Sequence, residues 1–247
     1  MNLSINEASL FVHKLDGLVR NHPDVEVVLA PTMLALQPVH LQVQHHHFDL
    51  AAQNFYWRDH GAYTGEVSAS QLRGIVKYAL VGHSERRHVF GEPNRDIRHK
   101  VQAAFRNQII PVLCVGETAS ERADGETNDV LHDQLVGGLA NITSEEAERL
   151  VVSYEPVWAI GTGKSATPGD VEKAIRAIRS QVRYLFGDKA ARKLRVLYGG
   201  SITVDNAKSF LTAKGVDGLL VGGASLDAHG FAEIIKKSYG DKVVAKK

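Results

Sequence analysis

Seven short apolar runs, each followed by a longer amphipathic segment, constrain this chain more than any other feature. They are VEVVLA (25–30), FDLAAQN (48–54), IVKYALVG (75–82), IIPVLCVG (109–116), LVVSYEP (150–156), LRVLYGG (194–200) and DGLLVGG (217–223). Rich in Val, Leu and Ile and lacking a polar alternation, they read as strands buried on both faces. They recur about every 20 to 45 residues, which leaves room for a helix to cross back each time, so parallel strands are expected. VEKAIRAIRSQVRYLF (171–186) represents the crossovers, with Ile175, Ile178, Val182 and Leu185 on one face. No Gly/Ser/Pro-rich linker interrupts the pattern. Residues 1–247 therefore read as one α/β domain, a size that parallel barrels reach as single units.

The helices outnumber the strands. The first helix starts near Ile5, because Ser4 and Glu7 stand at the spacing of a capping box and Ala8, Phe11, Leu15 and Leu18 follow at helical intervals. The last lies in AHGFAEIIKKSYG (228–240). That makes about eight helical units against seven strands, so a (β/α)8 barrel is one strand short, and the shortfall is at the first position. A tail, residues 238–247 with the sequence GDKVVAKK at its end, follows the last helix. Geometry allows it to enter the vacant slot as a strand with the usual right-handed crossover.

Composition excludes several classes of function. The 29 Lys and Arg residues balance 28 Asp and Glu, a net charge of +1, so there is no electrostatic footprint for nucleic acid or an anionic membrane. The apolar runs are strand-sized, well short of the roughly 18 residues that span a bilayer. Without a charged-then-apolar leader, the protein is expected to be soluble and cytoplasmic. The single cysteine, Cys114, lies inside an apolar run and reads as a buried small hydrophobe. His45, His46 and His47 lack a second ligand cluster and read as a solvated loop rather than a metal site. Asn141-Ile142-Thr143 fits a glycosylation acceptor in a chain with no sign of a secretory route. GKS within GTGKS suggests a P-loop, but the position of that motif's first glycine is Trp158, which removes the nucleotide reading.

Polar residues gather at the carboxyl ends of the apolar runs, where parallel α/β folds carry their chemistry. In order these are Gln53 and Asn54, His83 and Glu85, Glu117, Glu155, then Gly199, Gly200 and Ser201, then Gly222 and Gly223. Glu155 follows LVVSY and precedes PVWAIG, an apolar setting that suits a carboxylate to proton transfer. His83 ends a strand just where SERR starts a short helix, and a helix N-terminus favours neutral imidazole, able to donate a hydrogen bond to a developing oxyanion. The glycine pairs let an anion approach the backbone. Ser201 and the following helix starts add donors. PVWAIGTGKSAT (156–167), with its glycine-spaced middle, reads as a lid.

AAQNFYW, GAYTGEVS, ALVGHSERR, PVLCVGET, SYEPVWAIGTGKSAT, LYGGSI and DGLLVGGASL occur in the order and spacing of one family. In these stretches, from Asn2 to about residue 237, the chain resembles the triosephosphate isomerases. The resemblance implies a TIM barrel that interconverts dihydroxyacetone phosphate and D-glyceraldehyde 3-phosphate through an enediolate, without metal or organic cofactor. Glu155 would be the base and His83 the group that polarises the carbonyl; both roles are what the resemblance implies. Gly161, Ser201, Gly222 and Gly223 would hold the phosphate, with Glu85 supporting from behind. WRDHGAYTGEVSASQ, with Thr64 near its tip, resembles the family's intersubunit loop and implies a homodimer. Family members begin with a strand running into Gly-Asn-Trp-Lys-Met-Asn, whose asparagine and lysine reach the substrate. Met1 and Asn2 match only its last two residues. Three expectations follow: the working protein has residues upstream that this chain lacks, the tail fills the slot, or, as the alternative function, a catalytically impaired isoform or fragment binds a phosphorylated ligand or a partner without efficient turnover.

Overall fold

A computed structural model describes residues 1–19, 24–43, 48–160 and 165–239. The lid centre with Gly161, the histidine run at 45–47 and the tail from residue 240 onward lie outside the described residues.

All seven apolar runs form strands: β1 (Val27–Leu29), β2 (Phe48–Ala52), β3 (Tyr78–Val81), β4 (Ile110–Val115), β5 (Val151–Tyr154), β6 (Arg195–Tyr198) and β7 (Gly218–Leu219). Each pairs in parallel with the next, in the order β1 to β7. The helices among the described residues are α1 (Ile5–Leu18), α2 (Met33–Val43), α3 (Ala69–Leu72), α4 (Ser84–His88), α5 (Asn94–Arg106), α6 (Ala119–Ala123), α7 (Thr127–Leu139), α8 (Ser144–Ala147), α9 (Pro168–Lys193), α10 (Ala207–Leu211) and α11 (Ala228–Lys237). This is the α/β barrel architecture with its helices outside the strands.

Among the described residues no ladder joins β7 to β1, so the sheet is open there, while α1 packs against both α2 and α11 and carries the outer helical layer across the opening. The DGLLVGG run yields only a two-residue, half-buried β7, whereas β5 is buried throughout. An edge strand has a ladder on one side only, which is why its regular part is short.

The predicted capping box forms at the start of α1, with the Ser4 backbone N–H donating to Glu7 Oε2 at 2.7 Å and Glu7 N–H to Ser4 Oγ at 3.4 Å. The helix buries Ala8, Val12 and Leu15, while Phe11 and Leu18 pack on the core part-exposed. Helix α9 breaks at Gly187, whose φ of 87° is left-handed, directly after the 171–186 stretch.

One apolar cluster, from Ala8 to Ile235, fills the layer between strands and helices, and a second of Ala51, Tyr78, Val112 and Val151 fills the barrel interior. This two-sided burial explains the uninterrupted apolar strands. At the amino ends of the strands a charged network closes the interior: Lys77 Nζ reaches Glu26 at 2.6 Å and Asp49 at 2.7 Å, Tyr78 Oη donates to Glu26 at 2.6 Å, and Arg195 bonds both Glu26 and Tyr78. No helix among the described residues is long and apolar enough to cross a membrane.

Candidate active site

Glu155 is the first residue after β5 and is 1% exposed. Its two oxygens meet different environments. Oε2 accepts the backbone N–H of Ser84 at 3.0 Å. Oε1 has no hydrogen-bond partner among the described residues and lies 3.7 Å from His83 Nε2. The fold therefore brings together the two residues that the sequence singled out, from the ends of β5 and β3.

His83 is the N-cap of α4, and its Nδ1 accepts the backbone N–H of Glu85 at 3.3 Å. A ring nitrogen that accepts is unprotonated, so neutral imidazole here carries its proton on Nε2, the nitrogen facing Glu155. The sequence reading gave Glu85 a supporting role. It is the Glu85 backbone that reaches His83, while the side chain is exposed.

The surroundings hold this pair in place. Arg87, half-buried behind the turn, donates to Gly82 O at 2.7 Å, Cys114 O at 3.0 Å and Asn94 Oδ1 at 2.7 Å, tying the His83 turn to the end of β4. Burial lowers the Arg87 pKa despite the neighbouring Cys114 and Glu155. Cys114 is buried as expected, and burial together with the adjacent Glu155 charge pushes its thiol well above the usual range. An inert thiol follows, since the thiolate is the reactive form.

Two glycines are required by the base itself. A Cβ on Gly116, after β4, would overlap the carbonyl oxygen of Glu155, and one on Gly199, after β6, would come within 2.6 Å of Ser153 Oγ and 2.9 Å of Glu155 Cγ. The sequence reading assigned the Gly200 gap to an anion. In the structure, a Cβ there would run into the Tyr198 ring, so packing accounts for that glycine. Gly222 and Gly223 are exposed, with no described residue within 4 Å of an added Cβ, and Ser201 is half-buried after β6. These three residues lie on the same rim as His83 and Glu155, at the carboxyl ends of β6 and β7. Gly161 lies outside the described residues.

Sequence reasoning did not find the assembly beside the base. Glu117 follows β4 and is fully buried. Its carboxylate accepts Tyr154 Oη at 3.1 Å and Trp158 Nε1 at 2.8 Å, and its backbone oxygen accepts Val157 N–H at 3.0 Å. Burial and the Glu117 charge raise the Tyr154 pKa, so its hydroxyl remains a donor. Only the strand-end position of Glu117 was visible in the sequence; its partners come from β5 and the turn after it.

Among the described residues no group of three or more His, Cys, Asp and Glu is arranged to hold a metal ion. The arrangement suits acid–base chemistry: a buried carboxylate with one oxygen fixed by an N–H and the other turned towards the imidazole.

Comparison with known proteins agrees over nearly the whole chain. The triosephosphate isomerase family profile matches residues 1–238. The triosephosphate isomerase of Carboxydothermus hydrogenoformans is 45% identical over 233 residues, 94% of this chain and 93% of that protein. The one from Clostridium perfringens is 41% identical over 236 residues, 95% of each chain, and the one from Chloroherpeton thalassium 43% over 235 residues, 95% and 93%. With this strand order, a strand-end His83 and Glu155 in contact, and this extent of similarity, the chain belongs to the triosephosphate isomerase family.

Proposed function

We propose that this chain interconverts dihydroxyacetone phosphate and D-glyceraldehyde 3-phosphate, with Glu155 moving a proton between the two carbons and His83 donating from Nε2 to the oxygens of the enediolate. The observation that carries the reading is the Glu155–His83 pair. The carboxylate is buried, one of its oxygens has no hydrogen-bond partner among the described residues and lies 3.7 Å from Nε2, and Nδ1 is occupied as an acceptor, so the donor is the nitrogen that faces the site. This division of labour is the one that membership of the family implies for the two residues. Ser201, Gly222 and Gly223, with Gly161, would bind the phosphate dianion through N–H groups, and Glu85 would fix the His83 ring through its backbone.

One barrel domain, residues 1–247, would carry the site. The continuous seven-strand sheet of the described residues, and an apolar cluster that runs from Ala8 to Ile235, support this. The segment 57–71, with Thr64 exposed near its tip, would meet a second copy. Its base is fixed by Arg106 and Asn107 on Asp59, both at 2.9 Å. Exposed apolar side chains at Val89 and Phe90, 73% and 66% exposed, would also suit burial in a homodimer. A cytoplasmic location fits a chain with no membrane-length apolar helix among its described residues.

The test is a coupled assay of both triose phosphates with the full chain, Glu155→Gln and His83→Gln. Turnover by the wild type, lowered about a thousandfold by Glu155→Gln and about a hundredfold by His83→Gln, is expected from loss of the base and of an oxyanion donor. Turnover that survives Glu155→Gln would sink the assignment.

A further inference from the structure

Arg122 occupies a position that the proposed chemistry leaves unused. It is on α6, which starts at the Thr118 cap immediately after Glu117. Its guanidinium makes three contacts with three different elements. Nη2 donates to Asp170 Oδ1, in the first turn of α9, at 3.0 Å. Nη1 lies 3.6 Å from Oε1 of the fully buried Glu117. The planar face lies over the Trp158 ring, 4.0 Å from its centroid.

Trp158 belongs to the 3-10 turn Val157–Ala159, which begins two residues after Glu155. The turn is therefore held from two sides, by Glu117 through the Trp158 indole N–H and Val157 N–H, and by Arg122 over the indole face. Asp170 is fixed in turn by Thr167, whose N–H and Oγ1 donate to Oδ2 at 3.1 and 2.7 Å. The guanidinium thus links the α9 N-terminus to the turn that carries on from the base.

Resting on the isomerase reading above, we propose that Arg122 is a positioning residue for Glu155: it clamps the turn at Val157–Ala159 between Glu117 and the first turn of α9, and so fixes the backbone from which the carboxylate reaches the substrate. It touches neither the carboxylate nor the proposed substrate. Arginine suits the task because one planar group satisfies a carboxylate at its edge and covers an aromatic face at the same time, which a lysine ammonium cannot do.

The experiment compares wild type, Arg122→Met, Arg122→Lys, Glu155→Asp and the Arg122→Met/Glu155→Asp double variant, all corrected for folded fraction by circular dichroism. Misplacement of a base by a fraction of an ångström predicts that Arg122→Met lowers kcat about tenfold with KM changed less than about twofold. Arg122→Lys should retain an intermediate kcat, which also serves if the methionine variant folds poorly. If Arg122 acts through Glu155, its loss should cost less than about threefold in the Glu155→Asp background, where the base is already misplaced.

A second readout is independent of turnover. The two tryptophans, labelled with 5-fluorotryptophan, give separate 19F resonances, and Arg122→Met should move that of Trp158 and leave that of Trp57 in place. Wild-type kcat in Arg122→Met, an undiminished tenfold loss on top of Glu155→Asp, or an unmoved Trp158 resonance would overturn the proposal. An inactive wild type would remove the isomerase reading instead, and the Trp158 resonance would then decide whether Arg122 holds the turn.

Discussion

Replacing Gly116 by alanine places a methyl group against the backbone of the base. The added Cβ would overlap the Glu155 carbonyl oxygen and stand 2.6 Å from its carbonyl carbon. Carbon atoms settle at about 3.5 to 4 Å, so the Glu155 backbone must retreat by roughly 1 Å. It cannot retreat freely, since Glu155 N–H donates to Val115 O at 2.8 Å and Gly199 N–H to Tyr154 O at 2.8 Å, fixing β5 between its neighbours. Overpacking of this kind costs about 1 to 3 kcal/mol. At about 2 kcal/mol the melting temperature should fall by roughly 4 to 8 °C for a chain of this size. A displacement of about 1 Å at a catalytic group costs on the order of a hundredfold in turnover, so activity should suffer far more than stability. Thermal melts followed by circular dichroism and a coupled kinetic assay measure the two separately. Gly17→Ala in α1 is the control, because nothing lies within 4 Å of its added Cβ, and it should leave turnover unchanged. A Gly116→Ala protein with both turnover and melting temperature of the wild type would refute the packing argument.

Acid should loosen the opposite end of the barrel first. Burial alone would raise the Glu26 pKa, but hydrogen bonds from Lys77 and Tyr78 and the Arg195 charge outweigh it and lower it to about 2 from 4.5. The group's contribution is thus present above the unfolded-state value of about 4.5 and is lost as the pH falls towards 2. Melts between pH 6 and 3 should lose more stability in wild type than in Glu26→Gln; parallel curves would argue against the network. Lys100 is 3% exposed and holds Glu92 at 2.8 Å and Asn54 Oδ1 at 2.7 Å, and Arg86 also bonds Glu92 at 2.8 Å. Lys100→Met leaves that buried carboxylate with fewer partners and should cost about 3 to 5 kcal/mol in denaturant titration, whereas a change under about 1 kcal/mol would contradict it.

Much of the architecture was legible because parallel strands buried on both faces must be continuously apolar, and each of the seven runs became a strand. The shortening of DGLLVGG to Gly218–Leu219 was not legible, since it depends on which neighbours pair with β7. At the site, His83 and Glu155 stood out as polar residues ending apolar runs. Their roles were suggested by type and position, and the 3.7 Å approach came from folding. Glu85 was noticed for its carboxylate and contributes its backbone N–H to His83. Arg122 carries no local signal, because its partners Glu117, Trp158 and Asp170 belong to three segments whose meeting is a tertiary event.

The sequence by itself determined the succession of strands, the alternation of strands with helical crossovers, the rim on which the polar residues gather and the family, because periodicity and motif spacing are local properties of the chain, whereas the short helices that bring the described total to eleven were not counted in it. Only the tertiary structure decided which atom faces which. Ser84 and Glu155 are 71 residues apart and meet at 3.0 Å because β3, β4 and β5 stand side by side in register, and Glu155 fits there because Gly116 leaves room for its backbone carbonyl and Gly199 for its side-chain stem. Hydrogen-bond geometry and steric exclusion between distant segments exist only once the strands are paired, so the orientation of the base belongs to the fold.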